Sequence, residues 1–238
     1  MSPINKNVYS INLFRRLDRS IDRIVTRKRD EMFTRIFEDG TMRLDTIADV
    51  LDVGSTRDNV RSSSNFFARR LAATSRVTLF SDQPIDISDD LDFDVEKSLV
   101  GDALNIDPEL GTFDLVFSSA TIEHVGNADN QRRMIECCIG AARKYVVITT
   151  PNRWHPLEFH TMLPLLHWLP RHLHRRILKA IGFPFFADKA NLNLLDRREL
   201  QILMNDNNQR ERIKSCWLET IRLFGPVSNL VFILELTE

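Results

Sequence analysis

The amino-acid sequence predicts a doubly wound α/β fold built on a seven-stranded sheet. Short apolar runs of strand length recur along the chain and stop at glycine, aspartate or proline. Helical stretches separate the early runs, whereas the last two are joined by a turn containing Gly225 and Pro226, which predicts an antiparallel hairpin. The predicted strands are 46–53, 76–80, 95–100 (a weak strand or the short helix before one), 113–117, 145–149, 215–223 and 229–236.

The predicted helices follow from apolar spacing and capping residues. One apolar face is formed by Met134, Cys137, Cys138, Ala141 and Ala142, which recur at helical intervals. We expect Arg143 and Lys144 to close this helix, because basic side chains complement the partial negative charge of a helix C-terminus. Residues 64–73 predict another helix, and Asp196 with Glu199 forms a capping box before a third.

Composition excludes several classes of protein. The 238 residues contain 32 Lys and Arg against 33 Asp and Glu, a net charge of −1, which disfavours a nucleic-acid partner. The three cysteines provide neither a disulfide framework nor a zinc-ligand spacing. The first residues lack the apolar core of a signal peptide, and no apolar run has the length of a membrane span. We therefore expect a cytoplasmic protein.

The predicted organisation is one domain with two additions. Residues 1–44 form an N-terminal helical extension with an apolar stripe and a charged face, and residues 45–238 form the main domain. Within that domain, residues 153–190 interrupt the alternation of strands and helices. Five of the nine prolines and five of the six histidines lie in 151–190. We interpret 153–190 as a lid or substrate-binding insertion.

The loops that follow the strands are the candidate ligand site, because an open α/β sheet binds ligands beyond the carboxyl ends of its strands. Asp82 closes the second strand, where a carboxylate can accept hydrogen bonds from both hydroxyls of a ribose. The first loop contains Gly54 but lacks the Gly-x-Gly-x-x-Gly pattern that cradles a pyrophosphate. This absence and the terminal hairpin disfavour a nicotinamide dinucleotide.

Four segments in order, 50–54, 77–82, 101–103 and 113–125, together with the terminal hairpin, resemble class I S-adenosylmethionine-dependent methyltransferases. The resemblance covers roughly residues 45–152 and implies a Rossmann-like fold, S-adenosyl-L-methionine as cofactor, and methyl transfer. It implies the following cofactor-binding residues: Asp52, Gly54 and Ser55 at the methionine end, Asp82 at the ribose, Asp102 with Ala103 at the adenine, and Ser118 or Ser119 lining the pocket.

The first loop departs from the family pattern, because Thr56 and Asp58 stand where later glycines are usual. Side chains there add bulk beside the ligand, and Asp58 would repel a cofactor carboxylate unless Arg57 or the cofactor's ammonium offsets it. A non-catalytic, methyltransferase-like binding protein is therefore one alternative function. An NAD-dependent sugar-modifying enzyme is the other.

Histidines are the candidate catalytic residues, since a hydroxyl or carbon acceptor needs a base of near-neutral pKa. In order of preference they are His155, His124 and His160. His155, Glu158 and His160 resemble a metal-ligand spacing, but Pro156 interrupts the segment and no further ligand follows, so we expect no metal.

The expected acceptor is a small molecule, a sugar or a lipid-linked sugar. Residues 150–161 look like a branch of bacterial methyltransferases of which some are associated with glycan or lipid-linked sugar assembly. In the insertion, apolar residues around Trp168 precede a basic group that includes Arg171, Arg175 and Arg176. This pattern suits an amphiphilic acceptor and allows a peripheral contact with a membrane surface.

Overall fold

The computed structural model describes residues 12–38, 42–57 and 64–237, with the backbone alone for residues 12–22 and 89. Its sheet has seven strands in the order β3-β2-β1-β4-β5-β7-β6. The strands are β1 (Asp49–Val53), β2 (Arg76–Ser81), β3 (Lys97–Val100), β4 (Phe113–Ser119), β5 (Ala142–Pro151), β6 (Ile213–Arg222) and β7 (Val227–Leu236). β1 to β5 are parallel, and β7 and β6 complete the sheet in antiparallel pairing. The doubly wound sheet and the terminal hairpin are confirmed.

Helices cover both faces of the sheet. They are α1 (Asn12–Phe33), α2 (Phe66–Leu71), α3 (Ile87–Asp90), α4 (Ala128–Ala141), α5 (Arg171–Ala180), α6 (Pro184–Ala187) and α7 (Arg197–Asn205). Neighbouring β1 residues belong to different apolar clusters: Leu51 packs in the cluster that contains α4 and α7, and Val50 in the cluster that contains α2. This alternation is that of a strand buried on both faces.

The residues that follow α1 contribute to the core. Ile36 and Phe37, in a π-helical turn (Thr34–Glu38), are buried in the same cluster as α2 and β1. Phe33 lies with its ring centroid 6.4 Å from that of Phe67. Residues 1–11 and 39–41 of the predicted extension lie outside the described residues. The described end of the extension is therefore packed against the domain.

The prediction that Arg143 and Lys144 close a helix is wrong. α4 ends at Ala141, and both residues lie in β5. The Arg143 side chain pairs with Asp114 of β4 at 3.2 Å and with Asp49 of β1 at 3.1 Å, and Lys144 Nζ lies 3.1 Å from Asp114 Oδ1. These ion pairs join the amino ends of three strands, and this tertiary arrangement outweighs the preference of basic residues for a helix end.

The segment between β5 and α7 leaves the sheet and returns to the same place. Asn152 and Leu195 form a parallel bridge, and the Arg153 N–H donates to the Leu195 carbonyl oxygen at 2.9 Å. Between these points the chain forms two short helices, α5 and α6, and irregular turns. The whole segment therefore stands at the carboxyl end of β5, the edge at which open α/β sheets generally bind their ligands. Among the described residues, no helix is both long and apolar enough to cross a membrane.

Candidate active site

The chain turns sharply where β1 ends, beside the point at which the strand order reverses. Gly54 has a φ of +92°, which favours glycine, and its N–H donates to the Phe80 carbonyl oxygen at 2.8 Å. A Cβ atom on Gly54 would lie 2.0 Å from Thr121 Oγ1. Backbone conformation and the neighbouring side chain therefore both require glycine at this position.

A cavity of about 410 Å³, here called the Asp82 cavity, opens beyond the ends of β1, β2 and β3. Asp82 follows β2 directly, Asp102 follows β3 after Gly101, and both are exposed on the wall of this cavity. Asp102 Oδ1 accepts the Leu104 N–H at 2.9 Å, so one of its oxygens stabilises its own turn. Within the described part of the chain, the Asp82 carboxylate has no hydrogen-bond or ion-pair partner. Asp82 is therefore available to a ligand.

A second cavity of about 320 Å³, the Asp52 cavity, lies on the other side of the same turn. Asp52 is buried, and Ser55 Oγ donates to its Oδ2 at 2.8 Å. Burial raises the pKa of Asp52 to about 6, although the Ser55 hydrogen bond and the positive charge of Arg29 act to lower it. Arg29 lines the same cavity. The acidic side chain of Asp52 and the basic side chain of Arg29 thus line the same cavity.

The two cavities are adjacent, because Gly54, Ser55 and Ala120 line both. Seven of the eight sequence-predicted cofactor residues line one or both of them: Asp52, Gly54, Ser55, Asp82, Asp102, Ala103 and Ser119. Ser118 lines neither cavity, because it is fully buried and its hydroxyl donates to the Val53 carbonyl oxygen at 2.9 Å. The Asp58 side of the loop lies outside the described residues.

Two of the predicted catalytic histidines meet at the edge of the Asp82 cavity. His124 lines that cavity, and its Nε2 lies 3.1 Å from Nε2 of His160. The outer nitrogens are also engaged: His124 Nδ1 contacts the Asn191 carbonyl oxygen at 2.7 Å, and His160 Nδ1 contacts Glu158 Oε1 at 2.6 Å. We call Glu123, His124, Glu158 and His160 the histidine cluster.

The electrostatics of the cluster favour an ionised Glu158. Burial alone would raise the pKa of Glu158, but hydrogen bonds from His160 and Thr161, together with the charge of His160, lower it to about 2. Burial likewise opposes protonation of His160, yet the hydrogen bond and charge of Glu158, with the charge of Glu123, raise the pKa of His160. The two side chains therefore stabilise each other in their charged forms.

The structure places His155, the first-ranked catalytic candidate, away from the two cavities. It is buried, its Nδ1 lies 3.0 Å from the Leu157 carbonyl oxygen, and its Nε2 lies 3.4 Å from the Leu223 carbonyl oxygen. Its ring stacks on that of Phe159, with centroids 4.9 Å apart. Through these contacts His155 connects the segment after β5 with the residue that follows β6.

A narrow, positively charged cleft lies on the other side of the histidine cluster. This basic pocket is lined by Arg153, His167, Arg171, His174, Arg175, Phe186, Leu192, Asn193 and Leu194. Burial, and then the charge of Arg171, lowers the pKa of Arg175. Burial is also the main cause that lowers the pKa of His174 to about 4, and His167, Arg153 and Arg175 add to that effect. Arg171 is paired with Glu199 at 2.6 Å, whereas Arg175 has no such partner among the described residues.

Exposed apolar residues are concentrated in the segment after β5. Among the described residues, seven of the eleven large hydrophobic side chains that are exposed lie in 153–190. They are Trp154, Met162, Leu165, Trp168, Leu173, Ile181 and Phe185. Apolar surface and positive charge thus occur together in the predicted insertion.

Sequence reasoning missed two residues of this region. Arg29 belongs to the charged face of the predicted N-terminal extension, and a charge on a helix gives no sign of the cavity that it lines. Glu123 was noted only as part of the segment 113–125, although it is fully buried and accepts a hydrogen bond from Thr150 Oγ1 at 2.9 Å. The signal in the sequence is a glutamate between an isoleucine and a histidine, in the loop that follows a strand.

Comparison with solved structures shows the fold. The N-methyltransferase NodS from Bradyrhizobium japonicum WM9, in complex with S-adenosyl-L-homocysteine, is 12% identical with a TM-score of 0.52, over 89% of this chain and 88% of that chain. The magnesium protoporphyrin IX methyltransferase (ChlM) from Synechocystis PCC 6803, with the same ligand bound, is 13% identical with a TM-score of 0.55, over 98% of both chains. No protein-family model and no curated protein matches the sequence. The fold is that of the class I methyltransferases.

Proposed function

We propose that this protein is an S-adenosylmethionine-dependent methyltransferase with a small-molecule acceptor. The observation that carries the proposal is the pair of carboxylates, Asp82 and Asp102, at the ends of adjacent parallel strands, on a cavity that adjoins Asp52 and Arg29. The fold shared with NodS and ChlM, both solved with S-adenosyl-L-homocysteine, supports it.

The residues fit the two ends of this cofactor. The open carboxylate of Asp82 can accept hydrogen bonds from both hydroxyls of a ribose, and Asp102 stands next along the wall for the adenine amine. The methionine end carries an ammonium and a carboxylate, which need opposite charges at close range, and Asp52 and Arg29 supply them. A dinucleotide pyrophosphate would instead meet several carboxylates, which disfavours the NAD-dependent alternative.

In this proposal the protein acts mainly by alignment. The bound cofactor supplies an electrophilic methyl group. An acceptor lone pair forms the new bond to the methyl carbon while the carbon–sulfur bond breaks and its electrons stay on sulfur. His124 lines the Asp82 cavity and contacts His160, so the histidine cluster stands where the acceptor has to approach. His124 and His160 are therefore proposed as functional residues, and His155 as a structural one.

We propose an acceptor with an anionic group and an apolar part, a class that includes lipid-linked and anionic sugars. The His160 ring contacts Phe186 of the basic pocket, with centroids 5.9 Å apart, so the pocket lies directly beyond the histidine cluster. The exposed apolar residues of the same segment suit the apolar part. The free volume of the pocket is only about 20 Å³, so the entry of an acceptor group requires Phe186 or the arginine side chains to move.

Calorimetry with S-adenosyl-L-homocysteine tests the proposed cofactor. We expect micromolar to sub-millimolar binding by the parent chain and a loss of about tenfold or more in Asp82→Ala, because hydrogen bonds to a charged group contribute about 1.5–3 kcal/mol each. Asp94→Ala, which removes an exposed carboxylate from another surface, is the matched control and should bind as the parent does. Absence of binding by the parent would favour the non-catalytic alternative, and equal affinity in Asp82→Ala would overturn the role of Asp82.

A further inference from the structure

Three potential metal ligands converge beside the Asp82 cavity. Glu123 Oε1, His124 Nε2 and His160 Nε2 all lie within 4.8 Å of one another. The two imidazole nitrogens are 3.1 Å apart, and Glu123 Oε1 is 4.0 Å from His160 Nε2. Two nitrogens bound to one tetrahedral zinc ion at the usual bond length are about 3.3 Å apart. The spacing of the imidazoles is therefore close to that of a metal site.

The outer atoms of all three side chains are held by hydrogen bonds. His124 Nδ1 contacts a backbone carbonyl oxygen at 2.7 Å and His160 Nδ1 contacts the Glu158 carboxylate at 2.6 Å, so both Nδ1 atoms carry the proton. Glu123 Oε2 accepts the Thr150 hydroxyl at 2.9 Å. Carbonyl and carboxylate acceptors behind imidazoles are the usual surroundings of metal-ligating histidines, because they orient the ring and direct the other lone pair at the ion.

The inward-facing atoms of the three side chains have fewer partners than the outer atoms. Because both Nδ1 atoms are protonated in this arrangement, the two Nε2 atoms face each other 3.1 Å apart and need either one shared proton or one metal ion between them. Among the described residues, the fully buried Glu123 Oε1 has no hydrogen-bond partner, and an unsatisfied buried carboxylate oxygen is costly. The two Nε2 atoms and the unpaired Oε1 atom of Glu123 thus face a common point.

We infer that Glu123, His124 and His160 bind a divalent metal ion, with zinc as the ion that this ligand set suits best. Two imidazoles and one carboxylate are a ligand set of catalytic zinc sites, which keep a fourth position open. The sequence pattern predicted no metal because His155, Glu158 and His160 were considered as one local set. The fold instead brings Glu123 and His124 to His160, and assigns Glu158 to the support of a ligand.

The site lies between the two candidate binding regions. His124 lines the Asp82 cavity, and the Glu123 carbonyl oxygen accepts the N–H of Asn193, which lines the basic pocket, at 2.7 Å. On the basis of the proposed function, an acceptor hydroxyl at the open position would lose its proton to solvent more readily, because a bound cation lowers its pKa. The electron pair left on oxygen would then form the bond to the methyl carbon.

Cobalt titration of the full chain tests the metal site without any assay of activity. After dialysis against a chelator, we expect one equivalent of Co²⁺ to bind with visible absorption bands and to be displaced by Zn²⁺. His160→Ala and the isosteric Glu123→Gln should each weaken Co²⁺ binding by about tenfold or more. Glu158→Gln, which removes the support of a ligand, should weaken it by about 10–100-fold. His172→Ala, which removes an exposed imidazole from α5, is the matched control and should bind as the parent does.

Either of two results would overturn the metal site: no stoichiometric Co²⁺ binding by the parent, or unchanged affinity in both His160→Ala and Glu123→Gln. If His160→Ala does not fold by circular dichroism, Glu123→Gln decides, since it keeps the side-chain volume and the Thr150 contact. Binding of S-adenosyl-L-homocysteine, measured in parallel, separates the two proposals. Binding of Co²⁺ without binding of S-adenosyl-L-homocysteine would contradict the proposed methyltransferase and retain the metal site. Binding of S-adenosyl-L-homocysteine without binding of Co²⁺ would reject the metal site alone.

Discussion

Asp52 is buried and lines the cavity proposed to hold the ammonium and carboxylate of the cofactor. Its side chain is 6% exposed, whereas Asp82 and Asp102 stand open at the neighbouring strand ends. Ionising a carboxyl in such surroundings is unfavourable until a positive charge approaches. The protein therefore keeps a carboxylate at the end of β1 at some cost in stability, as is typical of functional residues.

Asp52→Asn should stabilise the ligand-free protein above neutral pH. The pKa of Asp52 rises from 3.8 to about 6 on folding, so its favourable contribution is complete below about pH 4 and is lost as the pH rises through about 6. The rise corresponds to about 3 kcal/mol. Urea unfolding at about pH 8 should thus show the variant to be more stable by an amount of that order, with little difference near pH 4. A variant less stable than the parent at pH 8 would contradict the cause given for this shift.

At the scale of single residues, the sequence predicts the carboxylates better than the groups around them. Asp52, Asp82 and Asp102 could be placed at the candidate ligand site because the end of a parallel strand can be recognised locally. Arg29 and Glu123 could not be placed, because their roles depend on which distant segment packs against them. His155 and His160 look equivalent in sequence, and only the path of the chain after β5 separates the buried ring of His155 from the ring of His160 in the histidine cluster.

At the scale of elements, the segment from 152 to 195 is the feature that distinguishes this chain. Its prolines and turns prevent a single long helix, and its two ends meet at the carboxyl end of β5. It holds the basic pocket, most of the exposed apolar side chains and one half of the histidine cluster. The sequence predicted that this segment is an insertion, and its role as a lid or acceptor site remains our proposal.

Arg175→Ala should weaken the binding of an amphiphilic anion while leaving cofactor binding intact. Arg175 lines the basic pocket, whereas Arg176, the next residue of α5, is exposed and does not line it, so Arg176→Ala is a matched control. With dodecyl phosphate as the probe, we expect calorimetry to show about a tenfold loss for Arg175→Ala, the effect of one charge-assisted hydrogen bond, and little change for Arg176→Ala.

The same titration with Trp168→Ala examines the apolar part of the proposed acceptor site, since Trp168 is 43% exposed in this segment. Its affinity for dodecyl phosphate should fall, and its affinity for S-adenosyl-L-homocysteine should not. If Trp168→Ala loses affinity for both ligands equally, or for neither of them, the segment has a purely structural role. Equal effects of the two arginine substitutions would argue for nonspecific charge in place of a pocket.

At the scale of the whole molecule, the sheet could be predicted almost completely. The strands and the terminal hairpin follow from apolar runs and turn residues, whereas the order β3-β2-β1-β4-β5-β7-β6 is known from the structure. The boundary between α4 and β5 was misplaced, because ion pairs of Arg143 and Lys144 with distant aspartates extend the strand. Local pattern therefore determines the sheet here, whereas long-range pairing determines where its elements end.

The two cavities, the histidine cluster and the basic pocket follow one another around the carboxyl edge of this sheet. Gly54 and Ala120 are shared by the cavities, His124 joins the Asp82 cavity to His160, and His160 contacts the Phe186 side of the basic pocket. This spatial order suits a methyl donor in the two cavities, a reacting centre at the histidine cluster and an acceptor at the basic pocket. The methyltransferase proposal depends on that order.

A crystal structure of the protein with S-adenosyl-L-homocysteine tests this account most directly. We expect the ribose hydroxyls on the Asp82 carboxylate, the adenine beside Asp102, the amino-acid end between Asp52 and Arg29, and the sulfur directed toward the histidine cluster. A ligand bound elsewhere, or crystals that remain empty at millimolar ligand, would contradict it.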